Sequence, residues 1–541
     1  MKDEVKNNQS QVGSQSQRPS SALHPSNFTL QTSPPQRLDL SQETLTGIIP
    51  AFLQRHAKWV WLAVLAFMLS GFNGQWRIGP DSASHLLLAR SLVTGQTFEG
   101  QADLARELSP GLSWVVAAGF AAFGTQAVWP AVLAVWLAAA GVLLLTCKLF
   151  ALHERPAVGL VVVVMLACTE AFFRYAFQVM PDMFFALGFM MLLVGYESIC
   201  QRIEKGGFQW KHFRGGALAL ALAGLAVMAA FRSVVLVVVA GLAVTLVLSL
   251  IRWRKWKLLL ALAAGVALAV MLMRWALLGF GSPFHLLDDE RIMLERLTQD
   301  LGPTLSKAAG YNLMQMFDEA VLGSTLALDF DWWSSLPLGV LIFASVLMLW
   351  PRRHLWPVLL VVCTVQWLLF MVSARYLLPF TPVFAYAWWR LARRVELRIS
   401  GPWQGAAALA VMLVLYLVPN TVRCVAYVLP QHAAEPQAVW EDGMYLHVMA
   451  ICDWARRAAS ADAVLVPEQE RLRYPYMYLS DRTIVGDVSR SRAEQGELFA
   501  VTPMSERNQA ALQRQGLRLG ETVFETTTDS VTWRVQRVEA R

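Results

Sequence analysis

The sequence predicts an all-α polytopic membrane protein, with about eleven transmembrane helices plus juxtamembrane helices, and a small external α/β domain at its C-terminal end. Three observations lead there. Hydrophobic residues make up 56% of the 541 and charged residues only 16%, against about 25% charged in an ordinary globular chain. Apolar runs long enough to cross a bilayer recur from about residue 57 to residue 420, each crossing requiring roughly 20 residues. The basic residues collect in short loops between these runs, as membrane topology alone requires. The net charge of +7 is therefore a topology signal, and membrane lipids rather than nucleic acid are the expected surroundings.

Residues 1–45 are rich in Ser, Gln, Asn and Pro. Such a stretch cannot bury a core, so 1–55 is expected to be a disordered cytoplasmic tail and not a cleaved signal peptide. The first span, about 58–74, follows Arg55, His56 and Lys58, which places the N-terminus inside. The segment 75–127 is then external. Within it, 110–124 is apolar but short and punctuated by Gly. Whether it crosses decides the topology of everything downstream.

The next spans are expected at 128–148, 157–177, 182–200, 215–231, 233–251, 257–279, 334–350, 355–373, 376–391 and 403–420. The loops QRIEKGGFQWKHFR (201–214), RWRKWK (252–257), PRRH (351–354) and RLARRVELR (390–398) are strongly basic. All of them fall on the inner side only if 110–124 stays at the interface. The count is then eleven, within a transmembrane domain of 56–430 whose other long external loop is 280–333. The region 431–541 is external and soluble, with a helix at 443–459 and strands at 463–468, 483–488 and 530–538. The six cysteines (147, 168, 200, 363, 424, 452) have no metal or redox spacing. Cys424 and Cys452 share the outer side, which leaves a disulfide between them open.

Ionisable residues at span ends carry the functional signal. Asp81, in Gly79-Pro80-Asp81-Ser82-Ala83-Ser84-His85, sits just outside the first span. Either it caps a helix, or it forms a ligand-binding patch with Ser84 and His85, one turn on along the same helix face. Asp182, after Pro181, stands at another outer mouth and is likewise a cap or a functional carboxylate. Arg232 interrupts the apolar stretch 215–251, and Arg375 precedes Tyr376-Leu377-Leu378-Pro379. Each arginine either snorkels to head groups or clamps a phosphate. Two carboxylates that can take a proton and two arginines that can stabilise a leaving phosphate form a coherent set on one face. Two carboxylates beside a phosphate could also hold a divalent cation, although no ligand spacing requires one.

These stretches resemble the GT-C superfamily of glycosyltransferases, in the branch of the protein O-mannosyltransferases and the lipid A aminoarabinose transferase. The resemblance covers residues 58–250 and, loosely, the remainder. It rests on Pro80-Asp81 with the helix to Leu92 and Thr94-Gly95, on Pro110 to Phe123-Gly124, on Arg174 to Asp182, and on Arg375 to Pro379. It implies a polyprenyl-phosphate-linked sugar donor, a lipid, glycan or protein acceptor, and inverting attack at the anomeric carbon on the outer face of a bacterial inner membrane. By the same resemblance Asp81 is the catalytic carboxylate and Asp182 assists acceptor or metal positioning. Arg232 and Arg375 grip the carrier phosphate, with Tyr376 beside them. The loop 280–333 is a lid whose amphipathic part, 297–322, lies on the membrane.

Two departures bear on substrate contact. Ser82 stands where the family has a second acid, and Ser109 where some members have a base; Glu107 is a nearby candidate to compensate. Two other function classes compete. A transporter or flippase of a lipid-linked solute would carry charges inside spans and matching broken helices in two repeated halves, and the sequence has no internal repeat. An assembly protein whose tail binds a partner would not need Asp81 or Asp182.

Overall fold

The computed structural model describes residues 44–252, 301–431 and 446–540, less 75, 78, 99–100, 207–208, 210–214, 233, 318–320, 322–325, 327–331, 349–354, 370–373, 461, 470–471, 481, 485–492, 495–496 and 529–530. The expected span 257–279 and most of the expected tail and loop 280–333 lie outside the described residues.

The described chain is mostly helical. Among the described residues three helices are both long and apolar enough to cross a membrane: α6 (Trp129–His153), α9 (Asp182–Gly206) and the Pro402–Gln431 helix. In the last of these, Val411, Val414, Val418 and Val422 form an exposed apolar stripe. Helical spacing aligns them on one face, and such a face needs lipid rather than water against it. The chain is an integral membrane protein.

Shorter apolar helices pack among the long ones: α2 (Ala57–Ser70), α5 (Gly111–Phe123), α7 (Pro156–Cys168), α10 (Gly216–Phe231), α11 (Val235–Arg252) and the Trp332–Leu347 and Leu355–Leu369 helices. Two small helices, α3 (Pro80–Thr94) and α4 (Gln101–Glu107), lie between α2 and α5. With 13 residues, α5 is about 20 Å long.

The pair α9 and α10 sets one end of the bundle. A Cβ on Gly188 would stand 2.7 Å from the carbonyl oxygen of Gly224, and one on Gly195 2.5 Å from that of Ala217. Small residues thus let the two backbones touch. The contacts run in opposite directions along the two helices, so the start of α9 and the end of α10 lie side by side. These ends carry Asp182 and Arg232. A stacked pair, Phe184 on Phe231 with ring centroids 4.3 Å apart, seals the junction.

Several expected boundaries need correction. The last part of the expected disordered tail is a helix, α1 (Leu45–Arg55). Its first amides, Leu45 N and Thr46 N, donate to the Glu396 carboxylate at 2.7 and 3.2 Å, and the Thr46 hydroxyl donates to the same group. A carboxylate at a helix N-terminus satisfies orphan donors and the helix dipole together. The expected span 157–177 is two helices, α7 and α8 (Glu170–Tyr175), broken at Thr169. The break is satisfied from the Pro402–Gln431 helix: Tyr416 shares a hydrogen bond with Thr169, and Asn420 Oδ1 accepts from Glu170 N at 2.8 Å. The expected span 376–391 begins as a short helix, Ala374–Leu377, and a 3-10 turn, Leu378–Phe380, before Thr381–Arg398. In the expected amphipathic segment 297–322, the Leu301–Lys307 helix passes into a π-helical turn, Ala308–Asn312.

The C-terminal region is a five-stranded sheet of order β2-β1-β3-β5-β4 with helices Leu446–Ala458, Arg473–Ser480 and Glu506–Arg514. The strands are β1 (Val464–Val466), β2 (Thr483–Ile484), β3 (Leu498–Thr502), β4 (Leu517–Thr528) and β5 (Val531–Ala540). The first three are parallel and the last two close an antiparallel hairpin onto β3. β3 and β4 were not predicted. Cys424 and Cys452 are free thiols, donating to the carbonyls of Cys168 and Tyr476.

Candidate active site

Asp81 occupies the second position of α3, not the cap. Gly79 is the N-cap, and Ser82 closes the first turn, accepting from Gly79 N at 3.1 Å and donating to Gly79 O at 2.8 Å. The Asp81 carboxylate is therefore free of the helix and accepts from Arg375 Nη1 at 2.6 Å. Asp182 opens α9 in the same way, and its carboxylate meets Arg232 Nη2 at 2.6 Å. The capping reading fails for both acids: each points at an arginine from a distant part of the chain.

Tyr376 joins the two pairs. The Arg232 and Arg375 guanidinium carbons each lie 5.1 Å from its ring centroid, within cation–π range. Arg375 Nη2 also donates to its hydroxyl at 3.3 Å. Burial alone would loosen the Arg375 proton, but Asp182, Tyr376 and Asp81 overcome it and hold the group more firmly cationic than usual. Both carboxylates thus act on one guanidinium. The short Ala374–Leu377 helix presents that residue, and Phe380, 4.8 Å from Phe189 between ring centroids, anchors the following turn on α9.

A narrow cleft opens beside these groups. It is lined by Asp182, Arg232, Arg375 and Tyr376 together with Phe185, Phe189, Val234, Val238, Cys363, Pro379 and Phe380. Asp81 does not line the cleft; it adjoins it through Arg375. The two ion pairs differ in burial. The Asp182 side chain is 4% exposed and that of Asp81 48%. Among the described residues Asp182 Oδ2 and Arg232 Nε are buried without a hydrogen-bond partner, and such groups are costly to leave unmatched.

His85 is buried, and its Nδ1 shares a 3.0 Å hydrogen bond with Ser113 on α5. Burial pushes its pKa down to about 4, with Asp81 opposing and Arg232 adding to the fall. It is a neutral tie between α3 and α5, withdrawn from the cleft surface. The side chain of Glu107, at the end of α4, lies outside the described residues. Sequence reasoning missed Ser113 and the apolar wall; no charge or motif marks them.

Each of the two carboxylates is paired with a guanidinium, and among the described residues no three His, Cys, Asp or Glu side chains converge.

No protein-family model matches the chain, and no curated protein matches it by sequence. Solved structures do. The crystal structure of ArnT from Cupriavidus metallidurans bound to undecaprenyl phosphate aligns over 89% of this chain and 98% of its own, with TM-score 0.54 and 14% identity. The apo state of the same protein aligns equally. The Archaeoglobus fulgidus oligosaccharyltransferase tethered to an acceptor peptide with the NVT sequon aligns over 84% of this chain and 70% of its own, with TM-score 0.51 and 11% identity. The chain shares its fold with these two proteins.

Proposed function

We propose that the chain is a membrane glycosyltransferase that moves a sugar from a polyprenyl-phosphate carrier to a lipid, glycan or protein acceptor on the outer face of a bacterial inner membrane. The observation that carries this reading is the meeting of the Asp81–Arg375 and Asp182–Arg232 pairs across Tyr376, beside an apolar cleft. Cationic groups beside an apolar wall suit a ligand with a phosphate head and a hydrocarbon tail. The similar fold of a protein that holds undecaprenyl phosphate supports the same class of donor.

The burial difference supports a division of roles. A half-exposed ion pair is weak, so Arg375 exchanges Asp81 for a carrier phosphate at little cost. That exchange frees Asp81 Oδ2 to accept a proton. The acceptor hydroxyl oxygen attacks the anomeric carbon, its proton passes to Asp81, and the bond from that carbon to the phosphate oxygen breaks. The bonding electrons leave with the polyprenyl phosphate, whose charge Arg375 and Arg232 stabilise. Attack opposite the leaving group inverts the anomeric centre. Asp182 keeps Arg232 in place and offers Oδ2 to the acceptor.

The topology that goes with this reading has eleven spans, with α5 at the interface so that the strongly basic loops all fall on the inner side. It comprises a tail, a transmembrane domain of 56–430 and an external region of 431–541. Of the expected lid, the described stretch 301–317 exposes Leu301, Leu305 and Tyr311, apolar groups that suit contact with a membrane surface.

The test is sugar transfer by purified protein from a panel of polyprenyl-phosphate sugars. Wild type is expected to consume one of them. Asp81→Asn, folded and at equal level, is expected to lose about 100-fold or more in kcat, the scale of a lost general base. Full activity in that variant would remove the catalytic role.

A further inference from the structure

The C-terminal region reaches the helix that carries Asp81. Tyr478, on the Arg473–Ser480 helix, is buried. Its ring meets Trp76 edge-on with centroids 5.0 Å apart. The Arg90 guanidinium lies 4.3 Å from the same ring and donates to the Tyr478 carbonyl at 2.9 Å. Trp76 in turn donates its indole N–H to Ser82 Oγ at 3.0 Å. Ser82 closes the first turn of α3, the turn that holds Asp81. One tyrosine therefore touches α3 near both ends, at Arg90 directly and at Ser82 through Trp76.

That tyrosine is itself firmly seated. Tyr476, two residues earlier, donates to Glu468 at 3.0 Å, and Glu468 pairs with His447 at 2.7 Å, all three buried. The soluble sheet thus fixes the Arg473–Ser480 helix, and this helix fixes α3. We propose that Tyr478 and Trp76 are positioning residues for Asp81, so that the C-terminal region completes the active site as a brace on its catalytic helix. Neither touches the reacting atoms. The physical reason for such a brace is the half-exposed Asp81 itself: its weak pair with Arg375 cannot hold the carboxylate alone, and small misplacements of a reacting group cost rate steeply.

The proposal rests on the reading of Asp81 given above, and its test has an arm that does not. Hydrogen–deuterium exchange of the full-length protein, followed in peptides covering residues 79–90, reads the first turn of α3 directly. Tyr478→Ala and Trp76→Phe, the latter removing the indole N–H together with the pyrrole ring that carries it while keeping an aromatic side chain, are each expected to speed exchange there about tenfold, as local opening becomes easier. Tyr478→Phe, which keeps the ring and the carbonyl, is expected to restore the wild-type rate. Unchanged exchange in Trp76→Phe overturns the brace, and this variant decides the matter if Tyr478→Ala does not fold. In the transfer assay Trp76→Phe is expected to lower kcat about tenfold with donor KM within about twofold. A raised donor KM with kcat unchanged would instead place the effect on carrier binding and overturn the positioning of Asp81. An active Asp81→Asn protein would undo the catalytic reading while leaving the exchange result to stand alone.

Discussion

Ser82 illustrates how one side chain can replace an expected acid. Its hydroxyl accepts from Gly79 N and Trp76 and donates to Gly79 O; an ionised carboxylate only accepts and could not do the last. Asp81 is then the one carboxylate of its turn. Asp81, Asp182, Arg232 and Arg375 stand out in the sequence because charge at the border of an apolar run is expensive and therefore conspicuous. Their pairing was not legible: Arg375 lies 294 positions from Asp81, and no local pattern encodes such a contact. The role expected for His85 as a surface ligand gave way to burial. Its ordinary pKa of 6.5 falls to about 4, which corresponds to on the order of 3 kcal/mol. Between these values the unfolded chain binds a proton that the folded chain refuses, so stability is full above pH 6.5 and declines as pH falls toward 4. Thermal melts of the purified protein should show that decline, and His85→Asn should flatten it.

At the scale of elements, the α9–α10 contact decides the geometry of the site. Gly188 and Gly224 let the helices close until backbone touches backbone, and the closure brings Asp182 to Arg232. Gly188→Leu is expected to cost at least about 2 kcal/mol through overpacking and to abolish transfer, because the buried pair loses its register. A variant with an unchanged melting midpoint and full activity would contradict this. Hydropathy predicted most of these helices well, since a run of apolar residues is visible whatever it packs against. It did not predict the break at Thr169, where the backbone groups find partners on the Pro402–Gln431 helix. Nor did it predict α1, whose stabilising carboxylate, Glu396, is some 350 positions away. Strands β3 and β4 escaped for a similar reason: their order in the sheet depends on the β5 hairpin rather than on their own pattern.

For the molecule as a whole, the general architecture was readable from hydropathy and loop charge, whereas the finer topology depends on α5 remaining at the interface. A reporter enzyme active only outside the inner membrane, fused after residue 431, is expected to be active, and the same reporter fused within 201–214 silent; the reverse pattern would overturn the orientation. The Pro402–Gln431 helix adds a consequence of its own. Its 30 residues extend about 45 Å, while the hydrocarbon core is about 30 Å thick. The excess of about 15 Å has to be taken up by tilt or by turns that project beyond the hydrocarbon. Tyr427, near the C-terminal end, packs against the Arg77 guanidinium at 4.0 Å and donates to the carbonyl of Arg174 at 3.5 Å, which ties that end to the segment before α3 and to α8. The tie limits how freely the helix can lean, so Tyr427→Ala is expected to widen the range of tilts open to it, as spin labels on the helix would read.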